Sequence, residues 1–541
     1  MKRNTLTTAV LAGLTGMAGM VSVSNAVNVN PDGLGQVLLY PYYTARGGND
    51  TLISIVNTTE RGKAVKVRFI EALNSREVLD FNLYMSPYDV WTAAVTADGE
   101  GAKLVTTDTS CTVPYFVGQA EDGVGEQPFL DFEYTGARTN FDGGPQGIER
   151  TASGYIEIIE MGTMLPHVAS YDPSEDGIQP QIVEWASKHV GGVPRACGIL
   201  ERMWTQNDPV GNATWLSNAN FGFNTEIGAT GGLYGAASII NIAEGTQISY
   251  NATAVDGFWA FGDMNHTNPG SVLPDLNSGT NLQSIVFNNA NPSGLEINLW
   301  DEDTPVLALN AVLTHDQVMN EYISDSDIGA RTEWVLTFPT KRFHTDALGK
   351  GFATRGNPIP PFTRTWYFTV AEGAVDRRFF ACEDISIQFW DREERTEGVD
   401  VGPPIVSPPP PPTAPDLFQL CRESNVVRFS SNGDVPATSE ILKEPLRDAP
   451  FTSLSYTNFE LPFDSGWALF NLGTLPAQSA VVPDQRLSPA SEGGRQVVGL
   501  PVVGFSATTY TNGELAGGVL SNYGGTFNHR GTRVFVDSTA D

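Results

Sequence analysis

The chain has 541 residues, 41% of them hydrophobic, so it can bury a sizeable core and is globular rather than disordered. It carries 62 Asp and Glu against 32 Lys and Arg, a formal charge of −30. That balance excludes nucleic acid and anionic lipid as expected partners, because both require clustered basic side chains. It fits solubility outside the cell, or the binding of divalent cations or a cationic partner.

Residues Met1–Ala26 have the organisation of a secretory signal peptide. Lys2 and Arg3 give a short positive start, Ala9–Val23 is apolar and uncharged, and Ser24-Asn25-Ala26 supplies small residues for cleavage. The remainder is expected to be exported to the periplasm, the cell surface or the medium. No cysteine follows the signal to carry a lipid, no later apolar stretch is long enough to be a transmembrane segment, and the tail Asp537–Asp541 is polar. Export lets Cys111, Cys197, Cys382 and Cys421 oxidise. Of their three possible pairings, the sequential one, Cys111–Cys197 with Cys382–Cys421, ties no distant regions together. It would close a loop around the proline stretch between the last two.

Period-two patterns dominate the N-terminal third. Thr51–Asn57 reads as a strand; Val65, Val67 and Phe69 alternate with Lys66 and Arg68, giving one buried and one wet face. Leu79, Phe81, Leu83 and Met85 repeat the pattern, and Val90–Val95 and Tyr155–Ile159 add strands. Pro114–Gly147 is Gly-rich and acidic and reads as a surface loop. Ile182–Trp204 is helical in character, with Pro194 placed to open a helix. Strands follow at Ile239–Ile242, Ile248–Ala254, Leu295–Trp300, Val306–Ala311, Trp334–Phe338, Trp366–Val370 and Ile385–Trp390. Ser238-Ile-Ile-Asn241 echoes Ser54-Ile-Val-Asn57, as an internal sandwich repeat would. Thr314 and Gln317 match a capping box for a helix running to Ile323. Pro403–Pro415 reads as a stiff polyproline spacer. Beyond it, Trp467–Phe470 and Val497–Phe505 are the best strands. The pattern predicts a mainly β chain of tandem antiparallel, immunoglobulin-like β-sandwiches with a few short helices. The expected domains are 27–165, 166–400 and 416–541, with 401–415 as the proline-rich segment.

Motifs for chemistry are mostly absent. There is no G-x-S-x-G, H-E-x-x-H, C-x-x-C, phosphate loop or dinucleotide fingerprint. The six histidines are scattered; His344 with Asp346 and His315 with Asp316 are the nearest His–carboxylate neighbours. Alternate-residue oxygens at Asp301 and Asp303, and at Asp325 and Asp327, have spacing that could converge on Ca²⁺; no other cofactor is implied, and solvated turns explain the same pattern. Asp263, Asn265 and Thr267 are spaced likewise. Among the aromatics, Trp259, Trp300, Trp334, Trp366 and Trp390 lie in strand patterns and are expected in the core. Tyr40, Tyr42 and Tyr43, interrupted by Pro41, form the cluster to test for ligand contact.

The segments Asn30-Pro-Asp-Gly-Leu-Gly35, Ser86-Pro-Tyr-Asp-Val-Trp91 and Thr337-Phe-Pro-Thr-Lys341 give the chain a resemblance to uncharacterised exported proteins of Gram-negative bacteria. The resemblance runs through most of the chain after the signal. It implies compartment and carries no activity or site. The expectation is therefore an exported structural or adhesive protein, not an enzyme, that binds a surface or matrix component, polysaccharide or protein. The alternative is an enzyme or carbohydrate-binding accessory module acting on an extracellular polymer.

Overall fold

The computed structural model describes residues 26–538 apart from 137–141, 178, 205–214, 216–225, 289–290, 293, 349–350, 372–373, 379–380, 397–417, 431–435, 446–457, 461–462, 477–483 and 516–518. Strand makes up 47% of the structure and helix 10%, so the mainly β reading holds. The proline stretch 403–415 lies outside the described residues.

Two antiparallel sheets form the first unit. One has eight strands, in spatial order Asn28–Val29, Thr253–Asp256, Val37–Thr44, Ser153–Met164, Lys63–Glu71, Glu77–Met85 and Cys111–Val113, with Glu226–Ile227 also paired to Ser153–Met164. The other has six: Thr246–Asn251, Leu233–Asn241, Asn49–Asn57, Val90–Asp98, Gly101–Thr106 and Gly125–Pro128. Their facing residues share one core, in which Phe81 of the first sheet meets Trp91 of the second at 5.6 Å between ring centres. An immunoglobulin constant domain pairs four strands with three; these sheets are larger.

The expected boundary at 165/166 cuts through this unit, because strands from residues 233–256 complete both sheets. The Ser-Ile-Ile-Asn echo has a different meaning from a repeat: Leu233–Asn241 lies antiparallel beside Asn49–Asn57, with Ala236 opposite Ser54 and Ser238 opposite Leu52.

A second pair of sheets has five strands each. One runs Phe418–Leu420, Glu383–Asp391, Ser465–Asn471, Gln317–Ile323, Arg530–Thr532; the other Asn458–Glu460, Ser424–Ser430, Ala330–Thr337, Val503–Leu515, Val519–Asn528. Trp334, Phe389, Phe429 and Phe470 fill the space between them. Strands from both sides of the proline stretch pair directly, so 166–400 and 416–541 are not separate units. Nor are the two sheet pairs a string of independent domains. Val335, Val426, Phe505 and Ala507 extend the first core, and Phe505 stacks on Tyr250 at 4.6 Å.

Three local expectations are corrected. Lys66 and Arg68 do not line a wet face: both are buried, because the segment 257–282 crosses that side of the sheet. Lys66 Nζ bonds Asp80 at 3.0 Å and the Asn268 carbonyl at 2.9 Å; Arg68 pairs with Glu77 at 2.6 Å and with Glu157. Unpaired, each such charge would cost several kcal/mol. Secondly, helix and strand exchange places around Thr314. Val306–Leu313 is a wholly buried helix, and Gln317–Ile323 is a strand paired with Ser465–Asn471. A short, continuous apolar run carries no periodicity that separates the two states. Thirdly, the acidic loop 114–147 is anchored: Phe129, Tyr134 and Asp142 are buried. The helical region near 182–204 holds two short helices, Ile182–Ser187 and Cys197–Met203, and Pro194 sits in a two-residue strand before the second.

Both disulfides form in the sequential arrangement, Cys111–Cys197 and Cys382–Cys421. No helix among the described residues is long and apolar enough to cross a membrane.

Candidate functional site

A groove of about 690 Å³, within the size range of ligand sites, opens on the second pair of sheets. Strand Gln317–Ile323 explains one wall. Val318 and Tyr322 point into the core, which sends Met319, Glu321 and Ile323 outward. Directly opposite residues share a face, so Glu321, Trp467 and Trp390 form a row across three neighbouring strands. The two indoles stack at 4.1 Å with their planes 12° apart, and Trp467 keeps 37% of its surface exposed.

The hairpin Val503–Leu515/Val519–Asn528 supplies the other wall. Tyr510 lies opposite Tyr523; Tyr523 and Phe527 alternate along the strand and are each 61% exposed. Gly525, between them, leaves open space where a side chain would stand. Gly524 faces the other way, where a Cβ would come within 2.5 Å of the Gln247 carbonyl, so glycine is required for the hairpin to lie against Thr246–Asn251. Asn320 closes the floor: its Nδ2 donates to the Phe527 carbonyl at 3.1 Å and the Asn528 carbonyl at 3.3 Å.

Four charges rim the groove. Asp391 is already satisfied, by Arg395 Nε at 2.6 Å and by the N–H groups of Glu393 and Arg395 at 2.8 Å each. Glu321, Arg392 and Arg530 make no side-chain hydrogen bond or ion pair among the described residues, so they are available to a ligand. His529, between the groove residues Asn528 and Arg530, is held in place by hydrogen bonds. Its Nε2–H donates to the Val335 carbonyl at 2.9 Å, Nδ1 faces Asn320 Nδ2 at 3.2 Å, and burial pushes its pKa down to about 4 despite the Val335 bond. The groove offers flat apolar rings beside amide, carboxylate and guanidinium groups. Chemically, such a set can stack on flat ring faces and hydrogen-bond hydroxyl groups.

The residues singled out in the sequence lie elsewhere. Tyr40, Tyr42 and Tyr43 are fully buried, which corrects the ligand-contact expectation. Their hydroxyls donate to the Ser54 carbonyl at 2.6 Å, Glu444 at 2.9 Å and the Thr151 carbonyl at 3.1 Å. Burial raises the pKa of each. Asp301 and Asp303 occupy an exposed turn in which Asp301 accepts the Asp303 N–H; Asp325 caps the next N–Hs in the same way, toward Asp327. Among the described residues no three His, Cys, Asp or Glu side chains gather to hold a metal ion. His344 is buried against Asn310 Nδ2 at 2.6 Å and the Pro360 carbonyl at 3.0 Å, while Asp346 pairs with Arg76 at 3.4 Å, so these neighbours form no dyad. His315 stands in a short strand rather than a helix, its Nδ1–H on the Leu313 carbonyl at 3.0 Å. Trp259, Trp300, Trp334 and Trp366 are core residues.

Sequence reasoning missed Glu321, Tyr523, Phe527 and Arg530. The signal was the period-two Tyr523-Gly524-Gly525-Thr526-Phe527, obscured by glycines that normally weaken a strand assignment. No protein-family model, no curated protein and no solved structure matches the chain.

Proposed function

We propose that the protein is an exported, adhesive carbohydrate-binding protein that holds an extracellular polysaccharide in the aromatic groove, without turning it over. The two sheet pairs are read as two β-sandwiches fused through a common core, a rigid body that presents the groove. The observation that carries the reading is the gathering of exposed rings in one concavity, Trp467 on one side and Tyr523 with Phe527 on the other. Exposed aromatic surface of this kind in a concavity marks a binding site. The two disulfides fit an oxidising compartment.

The test is affinity electrophoresis and calorimetry against a panel of soluble polysaccharides, with Trp467→Ala and Tyr523→Ala. At least one polysaccharide should bind, and each substitution should weaken it roughly tenfold or more, the cost of losing an aromatic platform. Binding that neither substitution alters would refute the groove; hydrolysis of the bound polymer would refute the non-catalytic role.

A further inference from the structure

Next to the aromatic groove lies a second concavity of about 370 Å³, at the junction of the two sheet pairs. The two share Asn528 and Arg530, so they adjoin. The second cleft is lined by Arg530, Arg533, His315 and His529, with the amides of Asn251 and Asn528, and no Asp or Glu lines it. In a chain with 62 acidic against 32 basic residues, that local composition is selective.

The donors are partly committed and partly free. Arg533 gives one Nη–H to the Val312 carbonyl at 3.2 Å, while its Nε is buried without a partner. The charge of Asp316 acts on Arg533 but forms no ion pair with it. Arg530 pairs through its backbone with Met319 and carries an unpaired, exposed guanidinium. His315 donates Nδ1–H to Leu313, which leaves Nε2 able to accept from a hydroxyl. Gly531 keeps His315 in place: a Cβ there would stand 2.2 Å from the imidazole Cδ2.

Two arginines lining one cleft, neither ion-paired among the described residues and with no carboxylate in the lining itself, match a carboxylate ligand, which arginine takes through paired N–H bonds. We propose that the junction cleft is an anion subsite for the carboxylate of an acidic sugar, so that the bound polysaccharide is a uronate-type polyanion running from the aromatic groove to Arg530 and Arg533. This rests on the carbohydrate reading of the groove. The overall charge of −30 does not oppose it at contact distance, since at physiological salt charges beyond about 8 Å are largely screened.

The test uses an oligouronate and its carboxyl-reduced, neutral counterpart, which share the ring skeleton. Calorimetry on the whole protein should show the uronate binding roughly tenfold or more tightly than the reduced chain, as charge-assisted bonds to arginine require. Arg530→Gln should remove most of that preference, and Arg530→Lys should restore part of it. Arg530 is exposed, so both variants are expected to keep the wild-type melting temperature, and Arg533→Gln provides a second reading of the same preference. Equal binding of the two chains, or a preference that survives both Gln substitutions, overturns the anion subsite. If the reduced chain binds through Trp467 with no advantage to the uronate, the groove stands and the subsite falls. If neither chain binds and no other polysaccharide does, both fall.

Discussion

Arg150 provides a quantitative test of how the charged side of the large sheet is held. Its guanidinium is 1% exposed and reaches Glu71 at 2.9 Å and Asp142 at 2.8 Å, while lying 4.0 Å above the centre of the Tyr134 ring. Glu71 also accepts the N–H groups of Leu73, Asn74 and Arg76, so it cannot swing away to water. Arg150→Met fills a similar volume and leaves two buried carboxylates with only Arg76 nearby, 3.9 Å from Asp142. Breaking a buried pair from one side costs about 3–5 kcal/mol. The pH dependence has a definite sign. Burial pushes the Asp142 carboxyl up, but Arg150, with Arg76 and the Gly144 N–H, more than offsets it and holds it below the ordinary carboxylate range. In the wild type this stabilisation is present above the ordinary Asp range and lost as pH falls through the lower, folded value. In the variant burial is opposed only by Arg76 and the Gly144 N–H, so the group rises from its wild-type value and protonation relieves the penalty as pH falls. Guanidinium unfolding of the oxidised protein should therefore show a deficit that is largest at pH 7 and shrinks toward pH 4.5. A loss under about 1 kcal/mol at pH 7, or a deficit that does not change with pH, would refute the reasoning.

Other outcomes follow from the same structure. Cys111→Ser with Cys197→Ser should destabilise by about 4–5 kcal/mol on the chain-entropy estimate for a separation of 86 residues, and non-reducing peptide mapping should recover only the Cys111–Cys197 and Cys382–Cys421 links. Tyr42→Phe removes a hydrogen bond to the buried Glu444 and should cost about 1 kcal/mol while leaving polysaccharide affinity unchanged; a change in affinity would return the tyrosine cluster to the binding site. N-terminal sequencing of exported protein should begin at Val27, and recovery of Met1 would remove the export expectation.

The strands were legible wherever side chains alternate strictly. Lys63–Glu71 and Glu77–Met85 are strands as expected, and the four-residue motifs beginning at Ser54 and Ser238 marked real strands. What alternation could not tell was which face meets water. Lys66 and Arg68 read as wet because charges usually are; a long segment, 257–282, covers them, and no local pattern reports a distant cover. The same holds for Tyr40, Tyr42 and Tyr43, whose hydroxyls meet partners from Ser54 to Glu444. The helix Val306–Leu313 was hidden by uniform apolarity. Domain limits failed for a topological reason, since strands far apart in sequence complete each sheet. The groove was illegible because it is assembled across strands: Glu321, Trp467 and Trp390 come together only through register, and Tyr523 and Phe527 sit among glycines.

The most direct measurement is the affinity of wild-type protein and Trp467→Ala for a polysaccharide that the wild type retains in affinity electrophoresis. The structure predicts saturable binding that falls roughly tenfold or more on loss of the indole, with the melting temperature nearly unchanged because Trp467 is partly exposed on an outer face. Undiminished binding by Trp467→Ala, or no retention of the wild type by any polysaccharide tested, would contradict it.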